Sequence, residues 1–365
     1  MVDTARDVAA IAALWANNAS GNISAQDLRD GALASVHHDF ATGRVIDGDY
    51  YVCSTHGDDS NAGTSIDAPF ATIQQATTVV SAGDTVYVRG GVYEEYIDAN
   101  TADGTAANRI TFQAYPGETP IVDGANISTA TKTLFLVQRD FYTIDGFVIQ
   151  NCSTSAGFLA LGTEGMLVKN CVSQGHTGAT WGGAGFGNSG VAVGTWFMYE
   201  NCISRWNGTP GTGNGDGYVI FNGDTGSHPG YFVNCIAYRN NDDGFDVWQS
   251  EDVTLVNCLS LENGYDKAGA ATTGDGYGFK FSGGNVGGGN TYVHCRAVGN
   301  KGPGFRGGNA ATNTFYRCVG MDNASYNWRN SGVENMYLCS SINPGVADNF
   351  DASSVQRYCS WGNVN

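Results

Sequence analysis

The residues best suited to chemistry are three aspartates near the middle of the chain, in the stretch NNDDGFDVW at positions 240–248. Alternate side chains of a strand point to opposite faces. We therefore expect Phe245 to face a core and Asp246 to face outward, with Asp242 and Asp243 in the preceding turn. Such clustered like charges are costly unless a cation lies between them. The pattern predicts a cation site.

A fourth aspartate extends this cluster. Asp216, in NGDGY at 214–218, occupies a comparable Asp-Gly-aromatic position one repeat earlier. Aspartates also populate turns without binding anything, and the spacing is not that of an EF-hand loop. The hypothesis therefore depends on the two segments stacking in register. If they do, Asp216, Asp242, Asp243 and Asp246 supply the hard oxygen ligands that Ca²⁺ prefers.

Two basic residues follow in the next repeats. Aligning the Gly-Phe pairs of DGFDVW, YGFKFSGG and PGFRGG places Asp246, Lys280 and Arg306 in one outward column. A lysine beside a divalent cation and an arginine is expected to have a pKa below its usual value of about 10.4, where the neutral amine can accept a proton. Lys280 is therefore the candidate base. Arg306 is the candidate partner of a substrate carboxylate, which a guanidinium can bind through two hydrogen bonds.

A calcium site beside a lysine base suits β-elimination in a uronic-acid polysaccharide. Calcium bound to the sugar carboxylate makes the hydrogen on carbon 5 more acidic, Lys280 removes this proton, and the bond at carbon 4 breaks. The predicted cofactor is Ca²⁺, and the predicted partner is an anionic polysaccharide. The net charge of −17 would repel a polyanion except where cations are concentrated.

The elements that must position these residues are indicated by a repeat. Short apolar, β-branched runs end at Cys152, Cys171, Cys202, Cys235, Cys258, Cys295, Cys318, Cys339 and Cys359, at intervals of 19, 31, 33, 23, 37, 23, 21 and 20 residues. Asn precedes the first five. Units of short strands between Gly, Asn and Asp turns predict an all-β chain folded as a right-handed parallel β-helix, with coils about 4.8 Å apart. We expect the cysteines to stack in the interior as free thiols and the asparagines to bond from coil to coil.

The remaining segments divide the chain. The longer intervals carry inserted loops at 172–201, 203–234 and 259–294, where function is expected. A short helix from about Thr72 to Val80 is expected to cap the solenoid. Residues 1–48 show helical signals and form a predicted helical appendage, an attachment or oligomerisation segment, before a β-helix catalytic domain at 49–365.

Composition excludes several classes of protein. A hydrophobic content of 42% suffices for a large core, and Gly 52 without a Gly-X-Y period is not collagen. No apolar run reaches the roughly 18 residues of a membrane span, so we expect no membrane insertion. Lys and Arg number 18 against 35 Asp and Glu, which makes nucleic acid an unfavourable partner.

These motifs resemble those of a known family. The segments DDGFDVW, NGDGY and GFKFSGG are similar to the calcium site and catalytic lysine of family 9 polysaccharide lyases, typified by pectate lyases, over roughly residues 50–345. The resemblance implies a right-handed β-helix, calcium ligands at Asp216, Asp242, Asp243 and Asp246, and a base at Lys280. Lyases of this family act on more than one acidic polymer.

A second resemblance concerns the N-terminus. The segment ANNASGNISAQDLRDGALAS at 16–35 is similar to a short module of bacteriophage tail proteins. It implies a tail-spike depolymerase, and such spikes are usually homotrimers. The other interpretation is a helical appendage on a secreted bacterial lyase. Either way we expect the chain to act outside the cell.

Three alternatives stay open. A polygalacturonase-like hydrolase uses adjacent aspartates on the same fold, but the Gly-His-Gly and Arg-Ile-Lys segments it requires are not found, and His176, His228 and His294 are expected in loops or ladders. A calcium-dependent uronate epimerase would share the fold and the proton abstraction. A non-catalytic glycan-binding tail spike or adhesin would only stack aromatic side chains on sugars.

Overall fold

The computed structural model describes residues 48–127, 132–178, 180–209, 211, 213–221, 227–248, 250–281, 288–308, 312–330, 332–350 and 354–362. Within these residues the chain is almost entirely β-structure, with one short α-helix and one 3-10 helix at Thr180–Gly183. The predicted helical appendage and the phage-like segment lie outside the described residues. The domain boundary at residue 48 therefore stays a prediction.

The described strands form three sheets, in which each strand pairs in parallel with its neighbours. Sheet 1 has twelve strands: β1 (Tyr50–Val52), β2 (Thr85–Val88), β5 (Ile110–Ala114), β8 (Tyr142–Asp145), β11 (Met166–Lys169), β14 (Phe197–Glu200), β17 (Ser227–Val233), β20 (Glu251–Val256), β23 (Thr291–Val293), β26 (Asn313–Tyr316), β29 (Glu334–Tyr337) and β31 (Val355–Arg357). Sheet 2 has eleven: β3 (Gly91–Tyr93), β6 (Pro120–Asp123), β9 (Val148–Gln150), β12 (Val172–Gln174), β15 (Ile203–Arg205), β18 (Ile236–Tyr238), β21 (Leu259–Leu261), β24 (Arg296–Val298), β27 (Val319–Met321), β30 (Ser340–Ile342) and β32 (Ser360–Gly362). Sheet 3 has nine: β4 (Ile97–Ala99), β7 (Phe135–Val137), β10 (Phe158–Leu161), β13 (Phe186–Ser189), β16 (Tyr218–Phe221), β19 (Phe245–Trp248), β22 (Phe279–Lys280), β25 (Phe305–Gly307) and β28 (Trp328–Asn330).

Neighbouring strands of each sheet come from successive coils, so the fold is the right-handed parallel β-helix that the cysteine repeat predicts. The repeat marks the turn from sheet 1 to sheet 2. The residue before each cysteine has a positive φ, for example +54° at Asn201 and +55° at Asn234, a conformation that Asn tolerates well. The Asn234 amide donates to Asn201 Oδ1 at 3.1 Å, as expected for a ladder.

All ten cysteines are free thiols, and nine of them are buried. Each thiol of the interior column donates to a carbonyl of the preceding coil; Cys235 Sγ, for example, lies 3.4 Å from Tyr199 O. The prediction of a free-thiol column is confirmed. Small, apolar cysteine suits this position because the backbone of the next coil lies close by.

Aromatic rings fill the interior beneath sheet 3. One continuous stack contains Tyr218, Phe245, Phe279, Phe305 and Trp328, with successive ring centroids 4.7, 4.9, 5.0 and 4.1 Å apart. Each ring is buried. Because side chains alternate across a strand, a fixed inward ring in every coil fixes the outward neighbour as well.

The predicted capping helix is present as α1 (Ile73–Thr77), shorter than the expected span to Val80. Thr72 begins it by accepting a hydrogen bond from the Gln75 amide. Ile73 and Ala76 are buried against the hydrophobic core. The β-branched residues that follow Ala76 are poor helix formers. Within the described part of the chain, no helix is both long and apolar enough to cross a membrane.

Candidate active site

The predicted site residues converge on the outer face of sheet 3. Asp246, Lys280 and Arg306 are direct neighbours across β19, β22 and β25. Tyr218 pairs with Phe245 across β16 and β19, so the turns before these strands also align. Those turns carry Asp216 in one coil and Asp242 and Asp243 in the next. The structure therefore brings together all six residues singled out from the sequence.

The turns are held by a buried ladder of asparagines that sequence reasoning missed. Asn207, Asn240, Asn263, Asn300 and Asn323 pass side-chain hydrogen bonds of 2.9 to 3.0 Å from coil to coil. The signal was present, because each of these asparagines stands five residues after a repeat cysteine. In the coil that carries the acidic turn, the ladder residue Asn240 stands two positions before Asp242 and so fixes where that turn begins.

Glycine before Tyr218, Phe245, Phe279 and Phe305 is required by this packing. A Cβ at Gly244 would lie 2.3 Å from Ser260 Oγ and 2.7 Å from the Gly278 carbonyl oxygen. Contacts that short do not occur without a shift of the backbone. The Asp-Gly-aromatic motif therefore joins an acidic residue in the turn to a ring in the core through the only residue that fits between two coils.

Three carboxylates form a tight, buried group. Ligand oxygens of Asp216, Asp242 and Asp243 all lie within 4.8 Å of one another. Backbone amides approach them: the Asp275 N–H donates to Asp242 Oδ1 at 2.6 Å, and the Tyr277 N–H donates to Asp243 Oδ1 at 2.8 Å. These bonds orient the carboxylates but leave several oxygen lone pairs available.

Burial and mutual repulsion disfavour charge on these carboxylates. Burial, followed by the charge of Asp243, raises the pKa of Asp242 to about 8. Burial raises the pKa of Asp216 well above its usual range, and the neighbouring aspartates raise it further. Burial also raises the pKa of Asp246 to about 6, although Lys280 opposes this shift. The protein groups alone therefore do not balance the negative charge of the cluster.

Lys280 lies against the acidic cluster, with its Nζ 2.8 Å from Asp246 Oδ2 and 3.1 Å from Asp243 Oδ2. Burial acts to lower its pKa, but the carboxylates of Asp243 and Asp246 outweigh that effect and raise the pKa above its usual value. The sequence led us to expect a lowered pKa. With the protein groups alone the shift has the opposite sign, because the nearest charges are carboxylates and not Arg306.

The donor set fits a calcium ion. The second oxygen of Asp246, Oδ1, is buried and has no hydrogen-bond partner. Together with the group of Asp216, Asp242 and Asp243, it offers hard, anionic oxygens from two successive coils, which is the chemistry that Ca²⁺ prefers. An unpartnered buried carboxylate oxygen is costly unless a cation compensates it.

Arg306 lies beyond Lys280 in the same column. Its guanidinium carbon is 5.6 Å from the centroid of the Tyr277 ring, and its Nη1 donates to the Gly307 carbonyl at 2.6 Å. Its Nε is buried and has no hydrogen-bond partner. Tyr277 was not singled out from the sequence, although its place one residue before the Gly-Phe pair marked it as the aligned neighbour of Asp243.

The histidines are remote from this chemistry. His176 is buried at the start of the asparagine ladder, where it accepts from the Cys152 amide and contacts Ser173 Oγ at 2.9 Å. His294 precedes Cys295 in the positive-φ position of the turn. The assignment of His176 and His294 to ladders and loops is confirmed, whereas His228, for which the same was expected, is a buried residue of strand β17. The hydrolase signature built around a histidine therefore finds no support from these two residues.

The sequence that carries this site matches the model of a known protein family. The model described as "Pel9A-like, right handed beta helix region" matches residues 50–342, so the chain belongs to the Pel9A-like right-handed β-helix family. The crystal structure of pectate lyase Pel9A superposes with a TM-score of 0.65 and 20% identity, covering 84% of this chain and 80% of that chain. At that identity the superposition supports the fold alone.

Several curated relatives are named pectate lyases. Pectate lyase L of Paenibacillus polymyxa (strain SC2) is 26% identical over 363 residues, covering 95% of this chain and 79% of the relative. Pectate lyase L of Thermoclostridium stercorarium is 26% identical over 273 residues, covering 70% of this chain and 21% of the relative. This chain therefore matches about a fifth of the length of the latter protein.

Proposed function

We propose that this protein is a calcium-dependent polysaccharide lyase that cleaves a uronic-acid-containing, pectate-like polymer by β-elimination. The observation that carries the proposal is the contact of a partly buried lysine with a carboxylate cluster that still has an unpartnered oxygen: Lys280 bonds Asp243 and Asp246, while Asp246 Oδ1 has no hydrogen-bond partner. Membership in a family whose curated relatives are named pectate lyases supports the same reaction class.

The carboxylates, Lys280 and Arg306 have different roles in the proposed reaction. Asp216, Asp242, Asp243 and Asp246 would hold Ca²⁺, which would neutralise the cluster and the substrate carboxylate and so acidify the hydrogen on carbon 5. Lys280 takes that proton on Nζ. The electron pair of the C–H bond forms the double bond between carbons 4 and 5, the bond from carbon 4 to the bridging oxygen breaks, and the departing oxygen takes up a proton. Arg306 binds a second carboxylate.

Lys280 can act as a base only after it loses its proton. Its contacts with Asp243 and Asp246 favour the charged ammonium in the absence of other cations. The protonation of the lysine is thus coupled to the charge of the acidic cluster. A cation that neutralises the carboxylates of Asp243 and Asp246 also lowers the pKa of Lys280. This coupling explains why both groups occur in one column of adjacent coils.

Ultraviolet absorbance of the unsaturated uronate product tests the proposal. The native protein should raise the absorbance on polygalacturonate or another acidic polymer, and chelation of calcium should abolish the rise. Lys280→Ala should lower turnover at least about a hundredfold with the fold unchanged. Lys169→Ala is the matched control, because Lys169 pairs with Asp145 on sheet 1. No absorbance change over a broad acidic panel, with glycan binding retained, would favour a non-catalytic adhesin.

We also propose that the chain acts outside the cell as a phage tail-spike depolymerase and forms a homotrimer. The support is the resemblance of residues 16–35 to a module of phage tail proteins. Sedimentation of the full chain at several concentrations tests the assembly: a trimer is expected. A monomer at every concentration would contradict this part and favour a secreted bacterial lyase.

A further inference from the structure

The outer face of sheet 3 changes character at the proposed catalytic column. The residues aligned with Lys280 run from coil to coil in register and are Asp98, Leu136, Leu159, Gly187, Val219, Asp246, Lys280, Arg306 and Arg329. The four positions before Asp246 carry no charge. The two positions after Lys280 are both arginines. Apart from Asp98 in the first coil of the column, the positions before Asp246 are thus uncharged, and the positions after Lys280 are cationic.

The arginines have no carboxylate to neutralise them among the described residues. Some other basic groups in the described part of the chain are paired with carboxylates, as Arg89 is with Glu118 at 2.6 Å, whereas Arg109 and Lys301 bond backbone carbonyls. The Arg306 Nε has no hydrogen-bond partner, and Arg329 is exposed, with its guanidinium carbon 5.5 Å from the centroid of the Tyr326 ring. Two unneutralised guanidinium groups beside a proposed base form a binding surface for carboxylates.

The N-terminal side instead presents apolar side chains. On β10 and β16 the outward positions are occupied by Leu159 and Val219, which are buried, and by Leu161 and Phe221, which are exposed; Gly187 and Ser189 lie between them on β13. Leu161 is 38% exposed and Phe221 is 42% exposed. An exposed aromatic ring and an aliphatic side chain offer apolar contact area to a sugar ring, but no charge for a carboxylate.

Resting on the proposed lyase function, we infer that the outer face of sheet 3 binds its polymer in two chemically different halves. Units with free carboxylates contact Arg306 and Arg329, whereas uncharged units, such as esterified or deoxy sugars, lie over Leu161 and Phe221. Successive coils are about 4.8 Å apart, which is close to the length of one sugar unit. Lys280 and Arg329 are two coils apart, so the acidic half spans about two units. The substrate class is therefore a polymer with both acidic and uncharged units.

Binding calorimetry in the Lys280→Ala background tests this without cleavage. The probes are oligogalacturonates and the same oligomers after methyl esterification. Arg329→Gln should weaken binding of the free acids about threefold, as for an exposed ion pair, and more strongly at low salt. It should leave binding of the esters unchanged. Phe221→Ala should weaken binding of the esters and spare the acids.

Matched controls separate local contacts from general effects. Arg317→Gln removes the same charge from an exposed arginine in the turn between sheets 1 and 2, and Tyr231→Ala removes an exposed ring from sheet 1. Neither should alter binding of either oligomer. Equal effects of Arg329→Gln and Arg317→Gln would show that binding depends on the net charge of the protein and not on contacts with the cationic half, and would overturn the inference. Failure of either oligomer to bind would also overturn it.

The products of a partly esterified polymer separate this inference from the proposed function. The native protein should leave esterified units enriched on one side of the cleaved bond only, as read by mass spectrometry of the fragments. Cleavage with esters spread equally on both sides would refute the two halves while the lyase function stands. No cleavage of any uronate polymer, with the calorimetric differences intact, would refute the lyase function and leave the two-sided binding.

Discussion

The carboxylate cluster should make the stabilising effect of calcium depend strongly on pH. The pKa of Asp242 is about 8 in the folded protein, whereas the ordinary value that applies to the unfolded chain is 3.8. Between these values the folded protein binds more protons than the unfolded chain. Its stability without metal therefore falls as pH rises through this window. A cation that keeps the carboxylates ionised removes this dependence.

The size of this pH dependence follows from the proton that Asp242 must release when the carboxylates bind calcium. For Asp242 alone, each pH unit inside the window changes the free energy of unfolding by about 1.4 kcal/mol. From pH 5 to pH 7 the loss without calcium is about 3 kcal/mol, to which Asp246, with a pKa of about 6, adds roughly 1 kcal/mol near pH 5 to 6. The stabilisation by calcium should grow by at least about 3 kcal/mol over that range, an affinity gain of about a hundredfold.

Urea unfolding at pH 5, 6 and 7, with calcium and with chelator, measures this growth. Burial raises the pKa of the partly buried Glu95 to about 7 and that of the buried Glu334 to about 8, and the effect of both cancels in the difference between the two series. Asp242→Asn removes the titrating group and should remove most of the pH dependence. A calcium increment that is equal at pH 5 and pH 7, or one unaffected by Asp242→Asn, would refute the reasoning.

Three further predictions concern the base, the ladder and the thiols. Turnover should rise with pH until Lys280 is neutral, and lowering calcium should move this profile to higher pH, because the carboxylates of Asp243 and Asp246 raise the lysine pKa; a profile unchanged between two calcium concentrations would contradict the coupling. Asn263→Ala should lower the free energy of unfolding by about 2–4 kcal/mol in chemical denaturation, because it leaves buried partners in two coils unsatisfied. Asn201→Ala, in the partly exposed ladder, should lower it by about 1 kcal/mol. Equal losses would contradict the expectation that the buried ladder stabilises the fold more. Thiol titration of the unfolded chain without reductant should find all ten cysteines, and a lower count would reveal disulfides.

The fold was predictable because its signals repeat at every coil. Cysteine after a positive-φ asparagine and glycine before a core aromatic recur along the chain, so the register of Phe245, Phe279 and Phe305 could be aligned by eye. The buried asparagine ladder escaped notice because an asparagine in a turn looks the same whether it faces solvent or the next coil. The shared offset of five residues from cysteine was the discriminating signal.

The composition of the site could be predicted, but its electrostatics could not. Alternation in β19 and β22 suffices to place Asp246 and Lys280 on one outward face. The sign of the pKa shift of Lys280 depends on its distances to Asp243 and Asp246, which the register of strands does not specify. The charge division across sheet 3 likewise became visible only when all its strands were aligned in space.

The mass of the products tests the central claim most directly. A defined oligouronate is incubated with the native protein and calcium, and the fragments are weighed. Elimination predicts two fragments whose masses sum to the mass of the substrate, one of them unsaturated between carbons 4 and 5. Lys280→Ala should form neither fragment. Fragments whose masses sum to the substrate plus one water would instead identify a hydrolase and contradict the account.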